Sequence, residues 1–160
     1  MFSVTLLTVG KLKEKFYLDA VKEYEKRLRG YCQFTLLELP EQRLPENPAP
    51  GDISRALQKE AEAVREKIPK GAWLCVFTPE GKHLSSEELS ETLKQVKLSG
   101  KSAACFVIGS SFGMDESLKK QADFRLSFSK MTFPHHLFRV MALEQLYRAE
   151  CIQVGSPYHK

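Results

Sequence analysis

No apolar run in this 160-residue chain approaches the ~20 residues that a membrane-spanning helix needs. The N-terminus, "MFSVTLLTVGKLKEK", carries its basic cluster after the apolar run, the reverse of a secretory signal. A cytoplasmic location is therefore expected, with no membrane partner. Cysteine is sparse: Cys32, Cys75, Cys105 and Cys151 lie far apart with no C-x-x-C pair, which argues against a disulfide framework or a zinc ribbon and predicts buried, reduced thiols. Histidine is equally sparse, and adjacent His135 and His136 lack the i,i+4 spacing of zinc ligands, so no metal is expected. There is no G-x-G-x-x-G after the first strand-like run, where "TVGKLKEK" has a single glycine, and no Walker A motif. Charge of one sign is also scarce, since 24 basic against 20 acidic residues leave only +4. That balance points to an anionic partner only through local clusters such as "GKLKEK", "KEYEKRLRG" and "SLKKQ".

What is present describes one domain, residues 1–160, long enough to bury a continuous core. Strands are predicted at Phe2–Val9, Cys32–Leu39, Ala72–Phe77, Ala103–Gly109 and Phe124–Phe128, with Cys151–Val154 a weaker sixth. "AWLCVF" and "AACFVI" are almost unbroken apolar runs, as expected of strands covered on both faces. Helical stripes lie between them. Phe16, Ala20, Tyr24 and Leu28 share one face; Ile53, Leu57, Ala61, Val64 and Ile68 make another, with Asp52 placed as its N-cap. Ser85 and Glu88 have capping-box spacing, Asp115 can cap a short helix, and Pro134 suits the first turn of the last one. Alternating strands and helices predict an α/β fold with a mainly parallel sheet flanked by helices. Pro40–Asp52, rich in proline, reads as a surface loop.

Ligands of open α/β sheets bind beyond the carboxyl ends of the strands. Three successive strand ends here, "FTPEGK" (Phe77–Lys82), "IGSSFG" (Ile108–Gly113) and "SFSKMTFP" (Ser127–Pro134), supply glycine, hydroxyls and free backbone groups. Together they favour a pocket. Gly109, Ser111 and Gly113 also read G-x-S-x-G, the nucleophile elbow of serine hydrolases, with Asp123 and His135 or His136 following in triad order. A hydrolase is therefore a rival, although no oxyanion segment of the H-G-G-G type precedes the pattern, which counts against it. The chain closes on Tyr158, His159 and Lys160, an aromatic, an imidazole and an ammonium that would suit a site handling a base and phosphates.

"VGKLKEKFYLDAVKEYEKRL", "EGKHLSSEEL", "FVIGSSFG", "LSFSKMTFPHHLFRVMALEQLYRA" and the terminal "PYHK" together resemble the RlmH (YbeA-like) family of SPOUT methyltransferases, in register from first strand to last residue. The resemblance implies a SPOUT-type α/β knot, with a C-terminal trefoil knot and cofactor-binding part roughly at residues 72–160. It implies a homodimer that uses S-adenosyl-L-methionine to methylate N3 of a pseudouridine in 23S rRNA of the assembled ribosome. Carried over by position, cofactor contacts fall at Phe77, Gly109, Phe128, Ser129, Lys130, Met131, Thr132 and Phe133. Where the family commonly has a second glycine, this chain has Ser110. On the same reading His159 is the base that takes the imide proton or steers the water that does. Tyr158 meets the target base, and Arg139 anchors a phosphate or steadies developing negative charge. A SPOUT methyltransferase acting on another RNA is the remaining alternative.

Overall fold

The computed structural model describes residues 1–160. Five strands and five helices alternate: β1 (Ser3–Val9), α1 (Lys15–Leu28), β2 (Gln33–Leu39), α2 (Pro50–Lys67), β3 (Trp73–His83), α3 (Ser86–Leu98), β4 (Ala103–Ile108), α4 (Glu116–Gln121), β5 (Phe124–Ser127) and α5 (His135–Gln153). They form one parallel sheet in the order β2-β1-β4-β3-β5. β4 is buried along its whole length, because apolar clusters cover both faces of the sheet. Phe106 and Leu126 pack with the helices α1, α3 and α5 on one face, and Val107 packs with α2 and α4 on the other. No helix is long and apolar enough to cross a membrane.

Local chemistry sets most boundaries. Ser85 accepts the Glu88 amide at 3.0 Å and Glu88 accepts the Ser85 amide at 2.6 Å, the reciprocal pairing its spacing predicts. Asp115 accepts the Ser117 amide at 3.1 Å and opens α4. Asp52 is not the N-cap of α2. The helix begins at Pro50, and Asp52 reaches back to the Ala49 amide at 3.0 Å. Phe16 does not share the buried face of α1 but stands 66% exposed.

The expected sixth strand at Cys151–Val154 is absent, because α5 continues through Gln153. Its strand-prone residues are overruled by packing: Cys151 is fully buried, and Lys97 Nζ holds the Glu150 carboxylate at 2.8 Å. All four cysteines are free and buried; burial pushes the Cys32 and Cys105 thiols up to about 12, which makes them inert.

β3 runs farther than its apolar stretch. Phe77 and Lys82 both lie opposite Leu126, so residues 78–81 break the register with β5 before the pairing resumes at Lys82 and His83. Gly81 lets this stretch lie directly against the β5 backbone. A Cβ there would stand 2.7 Å from the Leu126 carbonyl carbon, closer than any side chain tolerates.

Candidate functional site

A cleft of about 250 Å³ opens where β4 and β5 end, beside the break in β3 after Phe77. The parallel sheet brings three segments side by side there, although they are far apart in the chain. Of the residues carried over as cofactor contacts, Phe77, Gly109, Phe128, Ser129, Met131, Thr132 and Phe133 line it. Lys130 does not. Thr78 and Ser110, inside two of the strand-end stretches expected to form a pocket, line it as well, as do Lys119, His135 and Phe138, which no motif had singled out for that role.

One wall is aromatic. Phe77, Phe128 and Phe138 meet with ring centroids 4.9–5.4 Å apart, and Phe133 stacks on Phe138 at 6.4 Å. Such a wall suits a flat heteroaromatic ring. The opposite side is backbone. At Gly109 a Cβ would strike the Gly113 carbonyl oxygen, so only glycine lets this turn close behind the cleft. The Ser127–Pro134 loop is prefolded: Ser127 Oγ donates to the Ser129 carbonyl at 3.0 Å, and Ser129 Oγ accepts the Met131 amide at 3.0 Å. The Thr78 hydroxyl is buried at the rim with no hydrogen-bond partner. An aromatic face, an open backbone and an orphaned hydroxyl fit a nucleoside-bearing ligand such as S-adenosylmethionine.

The G-x-S-x-G stretch is a tight turn. Ser110 N donates to Gly113 O at 3.1 Å and Gly113 N to Ser110 O at 2.9 Å, with φ +99° at Gly113. No non-glycine residue has positive φ, so Ser111 lacks the strained backbone of a nucleophile elbow. Its hydroxyl donates to Glu41 at 2.8 Å. Asp123 is occupied by the Leu74 amide at 2.8 Å, His135 by the Val9 carbonyl at 2.9 Å and His136 by Glu14 at 3.0 Å. The expected triad is not assembled, and the hydrolase rival falls.

The residues expected to do chemistry lie elsewhere. His159 Nε2 is 2.7 Å from Glu87 and its Nδ1 3.1 Å from Arg148 Nη1; Tyr158 Oη donates to Glu144 at 3.0 Å. Burial and the Glu144 hydrogen bond raise the Tyr158 phenol. This tail rests on α3 and α5, and neither residue lines the cleft of its own chain. Arg139 is fully buried. Its guanidinium donates to Glu38 at 2.6 Å and to the Gly10 carbonyl at 3.0 Å, which leaves no face for a phosphate. Glu38 also accepts the Leu12 amide at 3.1 Å, so the Arg139–Glu38 pair pins the turn after β1 onto α5.

Residues 2–159 match the family model described as "Predicted SPOUT methyltransferase". The chain is 45% identical over 157 residues to a Bifidobacterium adolescentis protein named ribosomal RNA large subunit methyltransferase H, covering 98% of this chain and 99% of that one. Proteins of the same name from Clostridium acetobutylicum and Clostridium botulinum are 44% and 42% identical over 158 residues, covering 99% of both chains.

Proposed function

The chain belongs to the SPOUT methyltransferase family, and on that premise we propose that it methylates ribosomal RNA of the large subunit, at N3 of a pseudouridine in 23S rRNA, on the assembled ribosome. The observation that carries this reading is the aromatic-walled, glycine-backed cleft at the ends of β4 and β5, beside the break in β3. Ribosomes as substrate imply a cytoplasmic enzyme. A C-terminal trefoil knot belongs to the same proposal.

Bound in the cleft, S-adenosylmethionine supplies a methyl group that is already electrophilic, so the protein's part is alignment and proton removal. Phe77, Phe128, Phe133 and Phe138 offer the adenine a flat surface. The backbone of Phe128–Phe133 and of Gly109 offers hydrogen bonds to the polar parts, with Lys130 pointing out of the cleft toward the RNA side. Arg139 acts from behind, holding the turn after β1. His159 takes the imide proton or steers the water that does, a role matched by an imidazole's ordinary pKa of ~6.5. Tyr158 meets the base.

Because His159 and Tyr158 do not line the cleft of their own chain, we assign them to the cleft of a second copy in a homodimer. Lys22 and Lys26, exposed on α1, extend the RNA-facing surface. Calorimetry of S-adenosylmethionine binding, followed by transfer of labelled methyl groups to ribosomes or to free RNAs, tests the reading. Saturable binding with transfer to large-subunit RNA supports it. Transfer only to another RNA leaves the family and changes the substrate; absence of binding removes the cleft assignment.

A further inference from the structure

Behind the cleft lies a buried carboxylate that no catalytic role uses. Glu60, on α2, interrupts the apolar stripe of Leu57, Ala61 and Val64, yet is only 5% exposed. A carboxylate held out of water needs partners. Its Oε2 accepts the Gln42 amide at 2.8 Å, from the connection between β2 and α2. Its Oε1 has no hydrogen-bond partner. Beside it stands the hydroxyl of Ser110, itself 7% exposed, on the turn that backs the cleft. The same connection holds the turn at a second point, since Glu41 accepts from Ser111 at 2.8 Å. Two neighbouring carboxylates thus face two adjacent serines. Burial pushes the Glu60 carboxyl up, opposed by the hydrogen bonding of the Gln42 amide and the Ser110 hydroxyl.

We propose that Glu60 is a positioning residue for cofactor binding: acting through Ser110, it locks the Gly109–Gly113 turn against the connection between β2 and α2 and so sets the backbone wall of the cleft. The inference rests on the reading that S-adenosylmethionine binds there. It also gives Ser110 a purpose. A hydroxyl where glycine is common anchors the turn on its far side instead of filling the cleft. Gly109 cannot yield by itself, because the Gly113 carbonyl fills the space a side chain would need. The turn therefore moves as a unit, and its anchor decides where the wall stands.

The test is a double-mutant cycle of Glu60→Ala and Ser110→Gly, read by S-adenosylmethionine calorimetry and by hydrogen exchange of the Ser110 and Gly113 amides in the ligand-free protein. Expected for Glu60→Ala are about tenfold weaker cofactor binding and faster exchange of both amides. Ser110→Gly should add nothing in that background. Glu60→Gln keeps an acceptor for Gln42 and gains a donor for Ser110, so binding should stay within about twofold of wild type. If Glu60→Ala does not fold, Glu60→Asp, a methylene too short to span both partners, replaces it in the cycle. Wild-type affinity and exchange in Glu60→Ala or Glu60→Asp would overturn the inference, as would additive effects of the two substitutions. Failure of the wild-type protein to bind the cofactor would instead strike the reading beneath it, and the cofactor role of Glu60 would fall with it. The exchange data would then still report whether Glu60 anchors the turn.

Discussion

Arg139 shows how little a residue's type says about its work. An arginine on the helix that follows the cofactor loop reads as a phosphate anchor, but a guanidinium with no exposed surface, held by Glu38 and the Gly10 carbonyl, is a strut. Its removal leaves Glu38 and the Gly10 carbonyl short of a donor, a loss of about 3 kcal/mol. Arg139→Ala should therefore lower the urea midpoint with an unchanged slope, even without RNA. An RNA-facing arginine would leave that midpoint where it is. Glu80 carries a second residue-level consequence. Hydrogen bonding from Lys119, 2.7 Å away at the cleft rim, brings its carboxyl down from the ordinary 4.5 to about 2. A depressed carboxylate stabilises the fold above its unfolded pKa and loses that contribution as pH falls through the folded one. Wild type should thus lose stability between about pH 4.5 and 2 more steeply than Glu80→Gln. Half of the Glu80 side chain is exposed, so the difference will be small. Acid titrations of the two that coincide would show the dependence to be foreign to this pair.

Elements defined by local pattern were legible in the sequence. The apolar runs that became β3 and β4, the capping box of α3 and the Asp115 cap all lie within a few residues of what they determine. The three segments of the cleft were legible for the same reason, since two follow β4 and β5 directly and the third follows the apolar stretch of β3. What stayed hidden depends on distant partners. Cys151–Val154 reads as a strand until the burial of Cys151 makes it helix, and the burial of Arg139 depends on Glu38 across the fold. Glu60 left one trace, a charge inside an apolar stripe. The close approach of β3 to the β5 backbone left only a glycine. That glycine is testable: in Gly81→Ala the new methyl meets the Leu126 backbone at 2.7 Å, with no flexible side chain to give way. A loss of about 2 kcal/mol is expected in urea melts. An unchanged midpoint would mean the two strands can separate there at no cost.

At the scale of the whole molecule the geometry is divided: a cleft on one side, and the tail with its imidazole and phenol on another, tied to Glu87, Arg148 and Glu144 of its own chain. A single chain with the proposed chemistry would have to undo those contacts and carry its terminus to its own cleft. Two chains related by a twofold axis need only place each tail beside the other's cleft, and the symmetry completes both sites at once. Gly109→Ala disables a cleft and leaves its tail intact; His159→Ala does the reverse. Each variant alone should transfer methyl groups far more slowly than wild type, with cofactor binding kept in His159→Ala and lost in Gly109→Ala. Mixed in equal amounts and allowed to exchange subunits, half of the dimers pair one variant with the other. Each such dimer holds one whole site, built from the cleft of one chain and the tail of its partner. Activity should recover to about a quarter of wild type. A tail that serves its own cleft gives no recovery, because every site in the mixture then lacks one half.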